Sequence, residues 1–128
     1  MDTVNALIID DDQDLCLLLK RVVESRISDV SVAHNIKDGT LLFNKLLPHI
    51  LFLDNNLPDG QGAQEISRFK ELSPQSKIVL ISAMGEAREQ AELYGADAFL
   101  EKPVAVAGVI DVLAKLLNSS VKDTETTI

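Results

Sequence analysis

The stretch Ile50-Leu51-Phe52-Leu53-Asp54 decides the fold of this protein. Four apolar residues in succession, closed by an acid, are typical of a short strand that is covered on both faces of a parallel sheet. Other short runs along the chain have a related character and are bounded by turn residues. They lie at residues 6–9 and 78–81, with an alternating run at 30–32 and a weaker one at 98–100.

Segments with helical spacing lie between and after these runs. Their apolar residues recur at intervals of three and four, as on the buried face of a helix. These stripes cover residues 15–23, 40–47, 63–69, 87–94 and 109–116. Pro48 closes the second stripe, and Gly95 follows the fourth as an expected C-cap. A strand followed by a helix, five times over, predicts a doubly wound α/β domain with right-handed crossovers.

Length and composition narrow the class of protein. The 128 residues suit one domain, which we place at 1–118, with 119–128 as a flexible tail or the start of a linker. The net charge of −8 offers no basic face, so we expect no nucleic-acid binding by the chain itself. No apolar run is long enough for a membrane span. Cys16 is the one cysteine and is interpreted as a packing residue, which makes the reducing cytoplasm the expected compartment.

Polar residues stand where the predicted strands end. Ligands of an open parallel sheet bind beyond the carboxyl ends of its strands. The residues found there are Asp10, Asp11 and Asp12 after the first strand, Asp54 after the third, Ser82 after the fourth and Lys102 after the fifth. Neighbouring acids repel one another unless a cation lies among them, and their hard oxygens suit Mg²⁺. The pattern therefore predicts phosphoryl transfer with Asp54 as the nucleophile, since that chemistry needs mainly alignment and charge neutralisation.

Each of these residues also has a structural interpretation. One of the three successive acids could cap the first helix, Ser82 could be a turn residue, and Lys102 could be a solvated surface lysine. Three rival functions remain open at this point. They are a haloacid-dehalogenase-like phosphatase using Asp10 and Asp12, a flavin or nucleotide binder, and an interaction module that is independent of phosphorylation.

The sequence resembles the receiver domain of two-component response regulators, of the chemotaxis-regulator type. The resemblance covers roughly residues 4–117. The stretches that carry it are Leu7-Ile8-Ile9-Asp10-Asp11-Asp12, Leu51-Phe52-Leu53-Asp54-Asn55-Asn56-Leu57-Pro58-Asp59-Gly60-Gln61-Gly62, Val79-Leu80-Ile81-Ser82-Ala83 and Gly95-Ala96-Asp97-Ala98-Phe99-Leu100-Glu101-Lys102-Pro103. It implies a flavodoxin-like (βα)5 fold with strand order 2-1-3-4-5.

The resemblance also implies a role for each matching position. Asp54 would accept a phosphoryl group from a phosphohistidine on a histidine kinase or histidine phosphotransfer protein. Asp10, Asp11, Asp54 and the backbone carbonyl of Asn56 would hold Mg²⁺, and Ser82 and Lys102 would contact the phosphoryl oxygens. Phe99 would be the switch aromatic. The Lys102-Pro103 peptide bond is expected to be cis.

Phosphorylation of such a domain changes a surface rather than a substrate. We expect Ser82 and Phe99 to shift, and the face of the fourth helix, fifth strand and fifth helix to alter for an effector. The protein would catalyse its own phosphorylation and dephosphorylation without turning over a substrate, as a monomer or a phosphorylation-dependent dimer. Asn56 and Met84, two residues after Asp54 and Ser82, are predicted to tune the phosphoryl lifetime.

Overall fold

The computed structural model describes the backbone of residues 4–125 and the side chains of residues 4–117. The strands of the main sheet are β1 (Asn5–Ile9), β2 (Asp29–Ala33), β3 (Ile50–Asp54), β4 (Lys77–Ala83) and β5 (Ala98–Lys102). The α-helices are α1 (Gln13–Glu24), α2 (Ile36–Leu46), α3 (Ile66–Leu72), α4 (Ala87–Tyr94) and α5 (Val106–Glu125). Two short strands, Asn56–Leu57 and Gly60–Gln61, and a 3-10 turn, Gly62–Glu65, lie between β3 and α3.

The sheet has the order β2-β1-β3-β4-β5, and every neighbouring pair is parallel. This order corresponds to the predicted 2-1-3-4-5, so the doubly wound, flavodoxin-like prediction is confirmed. The chain winds outward from β1 in both directions. The point where it reverses lies between β1 and β3, which places the ends of these two strands at the crevice where such folds bind ligands.

Two apolar layers cover the two faces of the sheet. Alternate residues of each strand point to opposite faces, so Ile8 and Phe52 pack in the layer under α1 and α5. Leu7 and Leu53 pack in the other layer, under α2, α3 and α4. Because both faces are covered, β3 is buried at all of its residues, which explains the unbroken apolar run in the sequence.

Helix ends follow the predicted signals with one exception. Asp12 caps α1 by accepting from the N–H of Leu15 at 3.1 Å, and Gly95 ends α4 with φ 82°. Leu47 was predicted to belong to the buried stripe of the second helix, and this is wrong. It ends α2 with φ 43° and is 50% exposed, because the helix must stop before Pro48 and the left-handed turn points the side chain outward.

The fifth helix continues through Glu125 and so takes in most of the segment 119–128, whose last three residues lie outside the described part of the chain. Within residues 4–125, no helix combines the length and the apolar composition that a membrane crossing requires.

Candidate functional site

The carboxyl edge of the sheet gathers the polar residues that the sequence places after its strands. Asp10 directly follows β1, Asp54 ends β3, Ser82 lies next to the end of β4, and Lys102 ends β5. Asp10 and Asp54 have no exposed surface, and Ser82 is 1% exposed. Two carboxylates and a hydroxyl are therefore sealed from bulk water.

A lysine from a strand two positions away reaches the central acid. Nζ of Lys102 lies 3.1 Å from Oδ1 of Asp54, although β4 separates their strands. Lys102 lies two residues after Leu100 and Asp54 two residues after Phe52, and both of these apolar residues pack under α1 and α5. The alternation of side chains along the strands therefore brings Lys102 and Asp54 to one face of the sheet.

The acids form a cluster that a metal ion fits. Oxygens of Asp10, Asp11 and Asp54 all lie within 4.8 Å of one another. Burial raises the pKa of Asp10 to about 6, and the charges of Asp54 and Asp11 add to that rise. Burial also raises the pKa of Asp54, against the opposing effect of Lys102. Such a group of ionised oxygens is stable only with a cation or protons among them.

The hydrogen-bond partners in the site are incomplete. The N–H of Asp12 donates to Oδ1 of Asp10 at 2.9 Å, and the N–H of Asn56 lies 3.4 Å from Oδ1 of Asp54. Oδ2 of Asp10, Oδ2 of Asp54 and Oγ of Ser82 are buried without any partner. Buried polar atoms without partners are rare in folded proteins, and their presence here is what a ligand-binding site requires. Two free carboxylate oxygens suit a hard divalent cation such as Mg²⁺.

The ammonium group of Lys102 is held in its charged form. Burial lowers its pKa, but the hydrogen bond and charge of Asp54, together with the charges of Asp10 and Asp11, outweigh that effect. On balance, the pKa of Lys102 is raised above its ordinary value. The site therefore contains a positive charge beside the central carboxylate.

The loop after Asp54 is fixed tightly at its base. The side-chain oxygen of Asn55 accepts from the N–H of Ala63 at 3.0 Å, and its backbone carbonyl accepts from the N–H of Gly62 at 2.9 Å. A Cβ at position 62 would lie 2.1 Å from the carbonyl oxygen of Asp54. Only glycine permits this approach, which explains the residue type at position 62.

Ser82 and Phe99 lie on the opposite face of the sheet from Lys102. Phe99 is partly buried against the layer under α2, α3 and α4, and it is the register partner of Leu80, two residues before Ser82. Beside Phe99 an open groove of about 490 Å³ runs between α4, β5 and α5. The residues predicted to form the switch are thus next to a surface that a partner could reach.

The structure brings some of the predicted site residues together and leaves others apart. Asp10, Asp11, Asp54 and Lys102 come together, while Ser82 and Phe99 belong to the other face of the sheet. The side chain of Asn56 is exposed, and its described contact with Asp54 is made by the backbone N–H. The predicted cis bond between Lys102 and Pro103 is present.

Sequence reasoning missed contacts that join distant residues. The backbone carbonyl of Asp10 is 2.9 Å from Nδ1 of His34. Asp59 binds two backbone N–H groups of α2. Asp97 pairs with Lys70 at 2.6 Å. No local signal marks these pairs, because their members are far apart along the chain.

Fold and site together define a small α/β domain with a buried carboxylate centre at the carboxyl edge of its sheet. Residues 6–114 match the family described as the response regulator receiver domain. The chain belongs to this family. Receiver domains act in two-component signalling, bind Mg²⁺ at an acidic pocket, and interact with histidine kinases and effectors.

Individual relatives agree with this assignment. The chain is 28% identical to the chemotaxis protein CheY of Thermotoga maritima over 113 residues, covering 86% of this chain and 94% of that protein. It is 33% identical over 110 residues to protein-glutamate methylesterase/protein-glutamine glutaminase 2 of Methanosarcina acetivorans, covering 81% of this chain but 31% of that protein. The chain thus spans under a third of the length of the methylesterase and nearly all of the chemotaxis protein.

Solved structures agree on the fold. A CheY-like receiver domain protein from Methanospirillum hungatei superposes with a TM-score of 0.84 at 23% identity, covering 95% of this chain and 99% of that one. The likeness at this identity concerns the fold alone.

Proposed function

We propose that this receiver domain is a phosphorylation switch in which Asp54 takes a phosphoryl group from a phosphohistidine in a Mg²⁺-dependent reaction. The observation that carries the proposal is the buried, incompletely bonded carboxylate of Asp54 beside the ammonium of Lys102. A carboxylate with one oxygen free of protein donors is available as a nucleophile. The lysine supplies positive charge where the charge of a transferred phosphoryl group would gather.

The transfer exchanges one bond for another. A carboxylate oxygen of Asp54 forms a bond to phosphorus while the nitrogen–phosphorus bond of phosphohistidine breaks. The electron pair of that bond returns to the imidazole nitrogen. Lys102 is placed to bind an oxygen of the phosphoryl group, and the unpartnered hydroxyl of Ser82 would donate to another after moving toward it. These residues orient the group and neutralise its charge, which is most of what phosphoryl transfer requires.

Asp10, Asp11 and Asp54 would hold Mg²⁺, with the backbone carbonyl of Asn56 as a further ligand. The close approach of the three carboxylates and the free Oδ2 of Asp10 support this assignment. A bound Mg²⁺ would neutralise charge on the acids and on the phosphoryl oxygens, and it keeps room for water and phosphate among its ligands.

The signal would leave through the face around Phe99. Phosphorylation adds about −1.5 to −2 charges and three acceptor oxygens at Asp54. Ser82, buried without a partner, gains one by moving toward them. Phe99 shares the face of Ser82 and borders the groove between α4, β5 and α5. We infer that movement of Ser82 lets Phe99 repack, and that an effector binds the altered groove.

We propose a histidine kinase or histidine phosphotransfer protein as the donor, acting in the cytoplasm where Mg²⁺ and the ATP that charges a kinase are available. We favour a monomer before phosphorylation. Asp97, an acid on the proposed output face, is already bound within the chain by Lys70 and by the N–H of Ile78. It is therefore engaged before any second copy approaches.

The phosphatase alternative loses its support at Asp12. A haloacid-dehalogenase-like site would use Asp10 as the nucleophile and Asp12 as the acid. Here the carboxylate of Asp12 caps α1, and the N–H of Asp12 is already bound to Asp10. Repeated turnover of a phosphomonoester would favour the phosphatase, whereas one phosphoryl group per chain favours the switch.

The test is phosphorylation by phosphoramidate, which carries the nitrogen–phosphorus bond of phosphohistidine, followed by intact-protein mass spectrometry. We expect one added phosphoryl group with Mg²⁺ and none with EDTA. Asp54→Asn should abolish the modification. Asp14→Asn, which removes an exposed acid from α1, is the charge-matched control and should retain it. Modification of Asp54→Asn at the rate of the wild type would refute the proposal.

A further inference from the structure

Asp59, at the tip of the loop that follows Asp54, contacts a distant helix with both of its carboxylate oxygens. The N–H of Ile36 donates to Oδ1 at 2.8 Å, and the N–H of Lys37 donates to Oδ2 at 3.0 Å. These two residues open α2. Carboxylates bind well at such a site, because the first N–H groups of a helix lack partners and its dipole is positive there. Ile36 also lowers the pKa of Asp59 by this bond, as does Lys37.

The same helix end already has a cap of its own. Oδ1 of Asn35 accepts from the N–H of Asp38 at 2.7 Å, so the usual N-cap role is filled locally. Asp59 satisfies other N–H groups from a position 22 to 23 residues away in sequence. Its contact therefore joins two parts of the fold, in addition to stabilising a helix end.

The loop that Asp59 anchors carries Asn56. Residues Asn56–Leu57 pair with Gly60–Gln61 in a short antiparallel ladder, and Asp59 lies in the turn between them. The base of the loop is held by Asn55, and Leu57 packs into the core. Asn56 itself is exposed. The tip is joined to the body of the protein by the two bonds of Asp59.

We propose that Asp59 is a positioning residue for the metal site: by binding the start of α2, it fixes the loop so that the backbone carbonyl of Asn56 can serve as a Mg²⁺ ligand. The inference rests on the proposed function, because it takes Asn56 to be a ligand. Asp59 acts through the loop and does not itself contact the metal or the phosphoryl group. Groups that orient metal ligands usually affect affinity strongly when removed.

The test compares Mg²⁺ affinity with metal-free stability in three variants. Asp59→Ala removes both bonds to α2. Asn35→Ala removes the local cap of the same helix and leaves the loop untouched. Asp38→Asn removes one exposed acid in the first turn of α2 and controls for the loss of negative charge. Affinity is measured by isothermal titration with MgCl₂, and stability by urea unfolding in EDTA.

We expect Asp59→Ala to weaken Mg²⁺ binding about tenfold, in the range for groups that orient metal ligands. Asn35→Ala should lower metal-free stability without a comparable loss of affinity, and Asp38→Asn should change affinity little. Asp59→Asn keeps one oxygen acceptor and should recover part of the loss. Amide exchange at Ile36 and Lys37 should speed up in Asp59→Ala, which confirms that the bonds exist.

Two failures are distinguishable. If the wild type binds no Mg²⁺, the proposed function fails and with it the ligand role of Asn56. If the wild type binds Mg²⁺ and Asp59→Ala binds it equally well, the metal site stands and the positioning role of Asp59 is refuted. Equal losses of affinity in Asp59→Ala and Asn35→Ala would also refute it, since they would show that α2 as a whole, and not the loop, supports the site.

Discussion

The two edges of the parallel sheet differ in whether their buried polar groups have hydrogen-bond partners. At the amino edge, Ser76 donates to the carbonyl of Pro48 and contacts the hydroxyl of Ser73. Nearby, the half-buried Asp97 also has its partners, since it accepts from Lys70 and from the N–H of Ile78. At the carboxyl edge, by contrast, lie all the buried side-chain atoms without a partner in residues 4–117: Asp10 Oδ2, Asp54 Oδ2 and Ser82 Oγ.

This difference shows which edge is built for stability and which for a ligand. A buried polar atom without a partner costs about 1 to 3 kcal/mol, and a buried charge more. A chain that satisfies such groups at one edge and leaves them open at the other keeps the second edge in a state that a ligand would stabilise.

Removing the positive charge from the carboxyl edge should have the largest effect. Lys102→Met takes away the ammonium that lies 3.1 Å from Asp54. We expect phosphorylation by phosphoramidate to slow by about a hundredfold, the usual loss when one group that stabilises a transition state is removed. Lys45→Met, which removes an exposed lysine from the last turn of α2, is the control. Equal rates in the two variants would contradict the role of Lys102.

Neutralising one acid of the cluster should raise stability while removing metal binding. Asp10→Asn keeps the oxygen that accepts from Asp12 but loses the buried charge. We expect the free energy of unfolding in EDTA to rise by about 1 to 3 kcal/mol, because a raised pKa means that the ionised form is destabilised. Added Mg²⁺ should stabilise the wild type and not the variant. A variant that is less stable than the wild type in EDTA would show that the buried charge of Asp10 does not destabilise the metal-free fold.

The pH dependence of metal-free stability follows from the same residue. The pKa of Asp10 is 3.8 in its ordinary state and about 6 in the fold. Between these values the folded state binds more protons than the unfolded state, so the contribution of Asp10 to stability falls as pH rises through this window. Asp10→Asn should lack that part of the slope in urea unfolding measured in EDTA. A slope that is identical in wild type and variant would exclude Asp10 as its source.

Some features of the fold and the site can be predicted from the sequence, and others cannot. The residues of the carboxyl edge are predictable because parallel strands end at one edge, so each acid after an apolar run is delivered to the same place. Gly95 is predictable because a helix end has a local signal. The prediction of Leu47 as a core residue is wrong, because spacing alone does not show where the left-handed turn before Pro48 begins.

Sequence patterns do not predict contacts between residues that are far apart along the chain. The bonds of Asp59 to α2 and the pair of Lys70 with Asp97 depend on which surfaces the folded chain brings together. The same holds for the three unpartnered atoms, since burial of an acid is decided by everything packed around it. The sequence therefore predicts which residues reach the site more readily than it predicts their electrostatic state.

One substitution made at both edges tests the contrast directly. Ser76→Ala removes a buried hydroxyl that is hydrogen bonded, so we expect it to lower the free energy of unfolding by about 1 to 3 kcal/mol. Ser82→Ala removes a buried hydroxyl without a partner, so metal-free stability should stay the same or rise by up to about 1 kcal/mol. Phosphorylation should slow in Ser82→Ala and not in Ser76→Ala. Urea unfolding and mass spectrometry give the two readouts, and equal destabilisation by both changes would contradict the contrast.

The smallest expected effect concerns Met84, which lies just beyond β4 and is 69% exposed. It follows Ser82 by two residues, where we expect it to border the path of the water that hydrolyses the phosphorylated Asp54. An apolar side chain gives that water no hydrogen bond. Met84→Glu should therefore speed dephosphorylation by about a few-fold, less than a fully positioned general base achieves. Met84→Leu keeps the apolar character and should dephosphorylate at the rate of the wild type. Loss of the phosphoryl group, followed by mass spectrometry after removal of the donor, measures both rates. A wild-type rate in Met84→Glu would mean that the water approaches Asp54 by a path that Met84 does not border.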